Sequence, residues 1–196
     1  MPNPTAFGNE EDTLLVTAVL KGDMGAFKKL ISLYEKLVVS IVFKMIGRVE
    51  DCEDICQDVF LKVYEKLAAF RFQSKLSTWI GSIAFNTCVN FLQKRKAILM
   101  DDIIGVNYTE EEQPVNLPVM ETGNNPGEQL EDKERHALLQ KGIENLSLIQ
   151  KTVLQLFHQN EMSLQEISAI TTLPVSTIKS HLFRARKHLK VQMNNY

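Results

Sequence analysis

The sequence predicts an all-α chain built as two small helical domains joined by a flexible acidic linker. Three observations carry that reading. Apolar residues recur at three- and four-residue steps through both ends of the chain, and no stretch alternates as a half-buried strand does. Residues 98–135 hold 2 basic against 10 acidic residues and are broken by proline and glycine. Near the C-terminus, two short periodic stretches flank a tight turn at Leu173-Pro174-Val175.

The first domain is read over residues 1–97. A short helix at about Glu11–Leu20 leads in. Phe27, Leu30, Ile31, Tyr34, Leu37, Val38, Ile41, Val42 and Met45 then keep the helical step until Gly47 offers a stop. Cys52, Ile55, Cys56, Val59, Phe60, Val63 and Leu67 share one face of the next helix, with Asp51, Asp54, Asp58 and Glu65 off that stripe. A third long helix runs from about Leu76 to Lys96, with Trp79, Ile80, Ile83, Cys88 and Phe91 on its apolar face. Lys94-Arg95-Lys96 reads as its cationic last turn, which suits the helix dipole. Four helices without a strand make a bundle.

The chain has 196 residues, 44% hydrophobic and 23% charged, which is ordinary globular composition. No apolar run reaches the roughly 20 residues of a membrane span, and the polar acidic start does not resemble a secretory signal. Three cysteines, Cys52, Cys56 and Cys88, are too few for a disulfide scaffold and fit a reducing compartment, so a cytoplasmic protein is expected. The formal net charge of −2 conceals a partition: residues 1–97 carry 13 basic against 11 acidic side chains, and residues 136–196 carry 7 against 3. Both flanking blocks are thus basic, and the acid is concentrated in the linker at 98–135. Glu110-Glu111-Glu112, Pro114, Pro118 and Gly123 to Gly127 leave that linker no period and too little apolar surface to offset ordering entropy. The two domains are therefore expected to separate readily.

The second domain, residues 136–196, starts on helical periods from about Lys133 to Leu146 and from Ile149 to His158. Ser163-Leu164-Gln165-Glu166 forms a capping box, in which the Ser163 hydroxyl and the Glu166 carboxylate each satisfy an orphan helix amide. Ile167 and Ile170 form the inner face, and Pro174 disfavours the helical conformation before it. Ser176 is the expected N-cap of the last helix, Thr177 to about Val191. There Ile178, Leu182, Ala185 and Leu189 step by 4, 3 and 4 as a buried seam, while Lys179, Ser180, Phe183, Arg184, Arg186 and Lys187 fall largely elsewhere. Capped helix, turn and second helix with a basic face fit a DNA major groove. Phe183, off the seam, is either a domain contact or an apolar partner for thymine methyl groups.

Phe70 to Trp79 mixes aromatic, basic and hydroxyl residues in one short connection. Unwound bases stack on aromatics while basic groups hold phosphates, although the same aromatics also serve as plain core. Catalytic readings find little support. No glycine-rich phosphate loop, nucleophile elbow or His ligand spacing occurs, and the cysteines lie on apolar stripes where they serve as small hydrophobes. No enzyme, metal or cofactor is expected.

Three stretches together resemble the extracytoplasmic-function (ECF) sigma factors of bacterial RNA polymerase. Asp51 to Tyr64 is similar to the family's acidic polymerase-binding helix. Phe70 to Arg95, with Ser77-Thr78-Trp79-Ile80 and Ala84-Phe85-Asn86-Thr87, looks like its promoter-melting segment. Ser163 to Arg186, with Leu173 to Ser180, looks like its region-four reader. The resemblance covers roughly residues 10–97 and 130–192, in family order. It implies that Asp51, Asp54, Gln57, Asp58 and Phe60 dock on the β′ clamp helices of core polymerase, with the β flap a further polymerase contact. It implies that Arg71, Phe72, Gln73, Ser74, Lys75 and Ser77 form a pocket for a base flipped from the single-stranded −10 element, with Asn86 beside it and Trp79 in the core. Ser176, Thr177, Lys179, Ser180, Phe183, Arg184 and Lys187 match the positions that bind the duplex −35 element. An anti-sigma factor is a further implied partner, and membrane insertion is not. A glycine is common in the family where Thr172 stands, so a slightly different turn is expected there. The reading from a different class is a stand-alone helix-turn-helix regulator with a helical partner-binding domain. An N-terminal receiver would alternate strands and helices, which this block does not.

Overall fold

The computed structural model describes residues 10–102 and 139–194, with side chains described to 95 in the first stretch. The expected linker lies outside the described residues from 103 onward. All regular structure in the described residues is helical: α1 (Glu10–Leu20), α2 (Met24–Ile46), α3 (Val49–Lys66), α4 (Leu76–Asp102), α5 (described over 139–144), α6 (Leu148–His158), α7 (Leu164–Thr171) and α8 (Val175–Asn194).

Local chemistry accounts for the ends. Glu10, Glu11 and Asp12 occupy the first turn of α1, where negative charge complements the helix dipole. Asp12 also accepts a hydrogen bond from the Tyr34 hydroxyl at 2.8 Å, which ties α1 to α2. The Asp23 carboxylate accepts from the amides of Gly25 and Ala26 at 2.8 and 3.1 Å, so α2 begins on a side-chain cap. It ends at Gly47, whose φ of 73° is open to glycine without the penalty a side chain brings. A 3₁₀ turn, Leu67–Ala69, closes α3.

Two terminal assignments from the sequence are corrected. Lys94-Arg95-Lys96 is not the last turn of α4, which continues to Asp102. Arg95 instead reaches Asp51 on α3 across 3.7 Å. Ser176 does not cap α8, because the Pro174 carbonyl already accepts from Thr177 and Ile178 and the helix begins at Val175. Ser176 sits inside the first turn, where its carbonyl takes the Ser180 hydroxyl at 3.0 Å. The Ser163 capping box forms as read from the sequence, and a second, Ser147 with Gln150, starts α6.

The two helical blocks do not stand apart. Val38, Ile41 and Ile80 of the first and Val153, Leu156, Ile167 and Ile170 of the second belong to one continuous buried cluster. Gly81 makes this possible: a β-carbon there would come 2.9 Å from the Ile170 Cδ1. Across the same interface the Gln155 side-chain amide donates to the Ser40 carbonyl at 2.7 Å, and Ser40 Oγ stands 3.2 Å from Asn160 Oδ1. In this closed arrangement α7 supplies the apolar residues that reach the first block, Ile167 and Ile170. Within the second block, Gly142 of α5 lies against Leu189 and Gln192 of α8.

Candidate polymerase and nucleic-acid interfaces

Three surfaces carry the residues singled out above. On α3 the buried stripe is Cys52, Ile55, Val59, Phe60 and Val63. Turning that stripe inward leaves Asp54, Gln57 and Asp58 exposed one turn apart, as the helical period requires. Asp58 pairs loosely with Lys62 at 3.8 Å, and Asp51 lies between Arg48 and Arg95 at 3.9 and 3.7 Å. Phe60 is a correction: it is only 9% exposed and packs in the core, so it supports the helix instead of presenting a ring. Leu61, 60% exposed and seven positions after Asp54, extends the same face, and the sequence reading missed it. Its signal was present: a large apolar residue off the buried stripe, with Asp58 three positions before it and Glu65 four after it.

The connection between α3 and α4 places Arg71, Gln73 and Lys75 at the surface, with Phe72, Ser74 and Ser77 half-buried. Phe72 adopts φ +54°, left-handed backbone that a bulky residue occupies at a cost of about 1–3 kcal/mol. Its ring packs against Phe70 at 4.6 Å, and Phe70 against Trp79 at 5.1 Å. The aromatics thus form a graded stack: Phe70 buried, Trp79 half-buried within the core cluster, Phe72 at the rim. Asn86 is exposed on α4, ten residues beyond Leu76 and so about 15 Å along the axis.

Lys75 meets an unforeseen partner. Its ammonium bonds one oxygen of Glu166 at 2.9 Å, while the other oxygen accepts the Ser163 amide and hydroxyl at 2.8 and 2.7 Å. Burial pushes the Glu166 carboxyl up, but the bonds from Lys75 and Ser163 outweigh it and hold the group below its ordinary range. No spacing in the sequence links two positions so far apart.

On α8, Ile178, Leu182 and Ala185 are buried as the seam predicts, while its fourth member, Leu189, is half-buried. Ser176, Lys179, Ser180, Arg184 and Lys187 are exposed, Thr177 is half-buried, and Phe183 is 68% exposed. The alternative of Phe183 as a domain contact is thereby closed. Arg186 behaves differently from its basic neighbours: its guanidinium lies over the Phe157 ring at 5.4 Å and 3.2 Å from His158 Nε2. The turn before α8 is not the altered one expected. Thr172 adopts φ +60°, the left-handed geometry a glycine would take there.

Cys52 and Cys88 are fully buried and Cys56 half-buried. Burial raises the Cys88 thiol to about 12 and Cys52 and Cys56 to about 11, so all three stay protonated at neutral pH. Among the described residues no three His, Cys, Asp or Glu side chains gather as a metal site. No helix among them is long and apolar enough to cross a membrane.

The sigma-70 region 2 family matches residues 30–98, and the sigma-70 region 4 family matches residues 128–189. An ECF RNA polymerase sigma-E factor of Escherichia coli K12 is 33% identical over 185 residues, covering 92% of this chain and 94% of that one. The chain belongs to the ECF sigma factors. The ECF sigma factor SigW of Bacillus subtilis is 29% identical over 182 residues, 92% of this chain and 95% of its own length. Among solved structures, the sigma factor RpoE of Bartonella quintana, in complex with the anti-sigma factor NepR, has the same fold at a TM-score of 0.67 and 22% identity. It covers 86% of this sigma factor and 96% of its own chain. CnrH, in complex with the cytosolic domain of CnrY, matches at 0.62 and 17% identity, covering 93% and 96%. As an ECF sigma factor the protein binds core RNA polymerase, recognises −35 and −10 promoter elements and promotes melting for initiation. The stand-alone regulator has no comparable support, since the N-terminal block is region 2.

Proposed function

We propose that this sigma factor divides its work among the three surfaces by chemistry. The α3 face of Asp54, Gln57, Asp58 and Leu61 docks on the polymerase clamp helices, with acid giving orientation and Leu61 an apolar centre. The loop from Arg71 to Ser77 receives a flipped base of the −10 strand, and Asn86 serves the strand further along α4. The exposed side of α8, Lys179, Ser180, Phe183, Arg184 and Lys187, reads the −35 duplex, with Ser176 and Thr177 at the helix N-terminus near a phosphate. Residues 1–97 and 136–196 act as separate domains across an acidic linker, in the cytoplasm, with no reaction of their own. An anti-sigma factor is the regulator this reading anticipates, as one similar structure is of a sigma factor held by one.

The observation that carries the reading is the left-handed Phe72 in a loop whose basic and hydroxyl side chains remain accessible. Strain is retained where geometry serves recognition. The test is promoter opening with core polymerase on paired and pre-melted templates. Phe72→Ala and Lys75→Ala should slow opening of the paired template while sparing duplex −35 binding. Normal opening by both variants refutes the loop assignment.

A further inference from the structure

Four observations meet at the contact between the domains. Lys75 lies in the loop assigned to the −10 strand, and its ammonium is held at 2.9 Å by Glu166 of α7. Pinned by Ser163 on its second oxygen, Glu166 is pre-oriented and offers Lys75 what a backbone phosphate would, an anionic oxygen at hydrogen-bonding distance. Ser77 lines the same cleft, together with Tyr34, Asn160 and Met162. At the other end of the interface, ten and more residues further along α4, closure is incomplete. An apolar gap of about 460 Å³ remains between Met45, Phe85 and Leu92 on one side and Leu148 and Ile149 on the other.

Geometry forbids this arrangement on a promoter. Elements some 20 base pairs apart lie roughly 70 Å from each other along duplex at about 3.4 Å per base pair. Here Glu166 joins the loop directly to the reader domain, whose longest helix, 20 residues, spans only about 30 Å.

We propose that Glu166 is an intramolecular phosphate mimic that latches the reader domain onto the melting loop and withholds Lys75 from DNA until the domains part. The inference rests on the assignment of Lys75 to the −10 strand. The pair is a weak fastener by construction. Lys75 is 60% exposed, so the bond is screened by salt, and at the far end of the interface the apolar gap leaves Met45, Leu92 and Leu148 short of full packing. A latch of this kind opens to modest competition.

The test uses the full-length chain without polymerase. Glu166→Gln removes the charge yet keeps a capping-box side chain, so α7 should stay folded, checked by circular dichroism. Small-angle scattering at low salt should show the variant larger than the parent, whose compact parts conform to about 16 Å for a chain of this length. Binding of a 12-nucleotide mixed-sequence single-stranded DNA should tighten about two- to fivefold, the range an exposed ion pair can hold back. The reversal Lys75→Glu with Glu166→Lys should restore compactness but not strand binding. If Glu166→Gln stays as compact as the parent and the reversal is no more compact than Lys75→Glu alone, the latch is refuted. Expansion without tighter strand binding overturns the withholding of Lys75. If Lys75→Gln also leaves strand binding intact, the failure lies in the −10 assignment and not in the contact.

Discussion

Thr172→Gly isolates a local cost that the fold bears at the helix-turn-helix. Thr172 holds φ +60° at the residue after α7, where the turn needs left-handed backbone. For an L-residue that geometry costs about 1–2 kcal/mol, because Cβ crowds the following carbonyl. Glycine removes the clash but enlarges the conformational freedom of the unfolded chain, at a cost of about 0.4–1 kcal/mol. It also loses the Thr172 hydroxyl bond to the Thr171 carbonyl, 2.6 Å long and at an exposed position. The rest of the turn is untouched, since the Ser168 hydroxyl still bonds the Leu173 carbonyl at 2.6 Å. Thr172→Ala is the control: it loses the same hydroxyl and keeps the Cβ. Glycine should therefore exceed alanine by about 0.5–1 kcal/mol, which is about 1–4 °C of melting temperature for a chain of this size. Differential scanning calorimetry of the full chain measures both, with −35 duplex binding as a check that the reader is intact. Alanine equal to or more stable than glycine would falsify the claim that strain resides at this residue.

Asp54→Ala with Asp58→Ala should weaken binding to core polymerase while shifting stability by only about ±0.5 kcal/mol, as both are exposed; unchanged affinity in a core-binding titration moves the docking face elsewhere. Adding Leu61→Ala should deepen the loss, and a triple variant no weaker than the double removes Leu61 from that face. For α8, a base-reading Arg184 replaced by alanine should cost about 1–3 kcal/mol and relax preference at one base pair, whereas a phosphate-holding Lys179 should weaken all sequences alike and lower the salt slope by about one. Asn86→Ala should spare −35 binding but impair −10 opening, and a pre-melted bubble should partly rescue it, since unpairing costs a few kcal/mol. With Cys88 raised to about 12 and Cys56 to about 11 by burial, iodoacetamide should leave the native chain largely unlabelled at pH 8 and label it fully after denaturation; rapid native labelling would contradict the packing.

Local chemistry was legible in the sequence and distant chemistry was not. The Ser163 capping box, the α8 seam of Ile178, Leu182 and Ala185, and the buried α3 stripe all follow from period and side-chain type. Each is decided within a turn or two of helix. Ser176 misled because proline permits two starts: a hydroxyl cap after it, or a helix begun directly from the Pro174 carbonyl. Phe60 misled because one helix supplies both a core stripe and a docking face, and a residue at their border is settled only by what packs over it. The contact of Gly81 with Ile170 and of Lys75 with Glu166 joins positions about 90 residues apart, with no periodic trace. In hindsight Gly81 was the one cue: a glycine inside a strong helix costs about 1 kcal/mol, and close approach by another element is a usual reason to keep it.

The closed arrangement, taken with the latch, orders the events of initiation. The α3 face and the exposed side of α8 stay open to solvent in it, so with the surfaces proposed above neither core docking nor first contact with −35 duplex would require the domains to part. Only the loop proposed for the −10 strand is engaged, through Lys75. A ligand shifts a two-state equilibrium solely by its differential affinity for the two states. Docking on α3 alone is indifferent to closure and cannot open the chain. Opening needs a partner that grips both domains at the wider spacing, as core polymerase would if it engaged both domains together, or promoter DNA bound at both elements. On the latch reading, such a chain would meet duplex with its reader while the loop remains capped, and would expose Lys75 only where both partners are already in place.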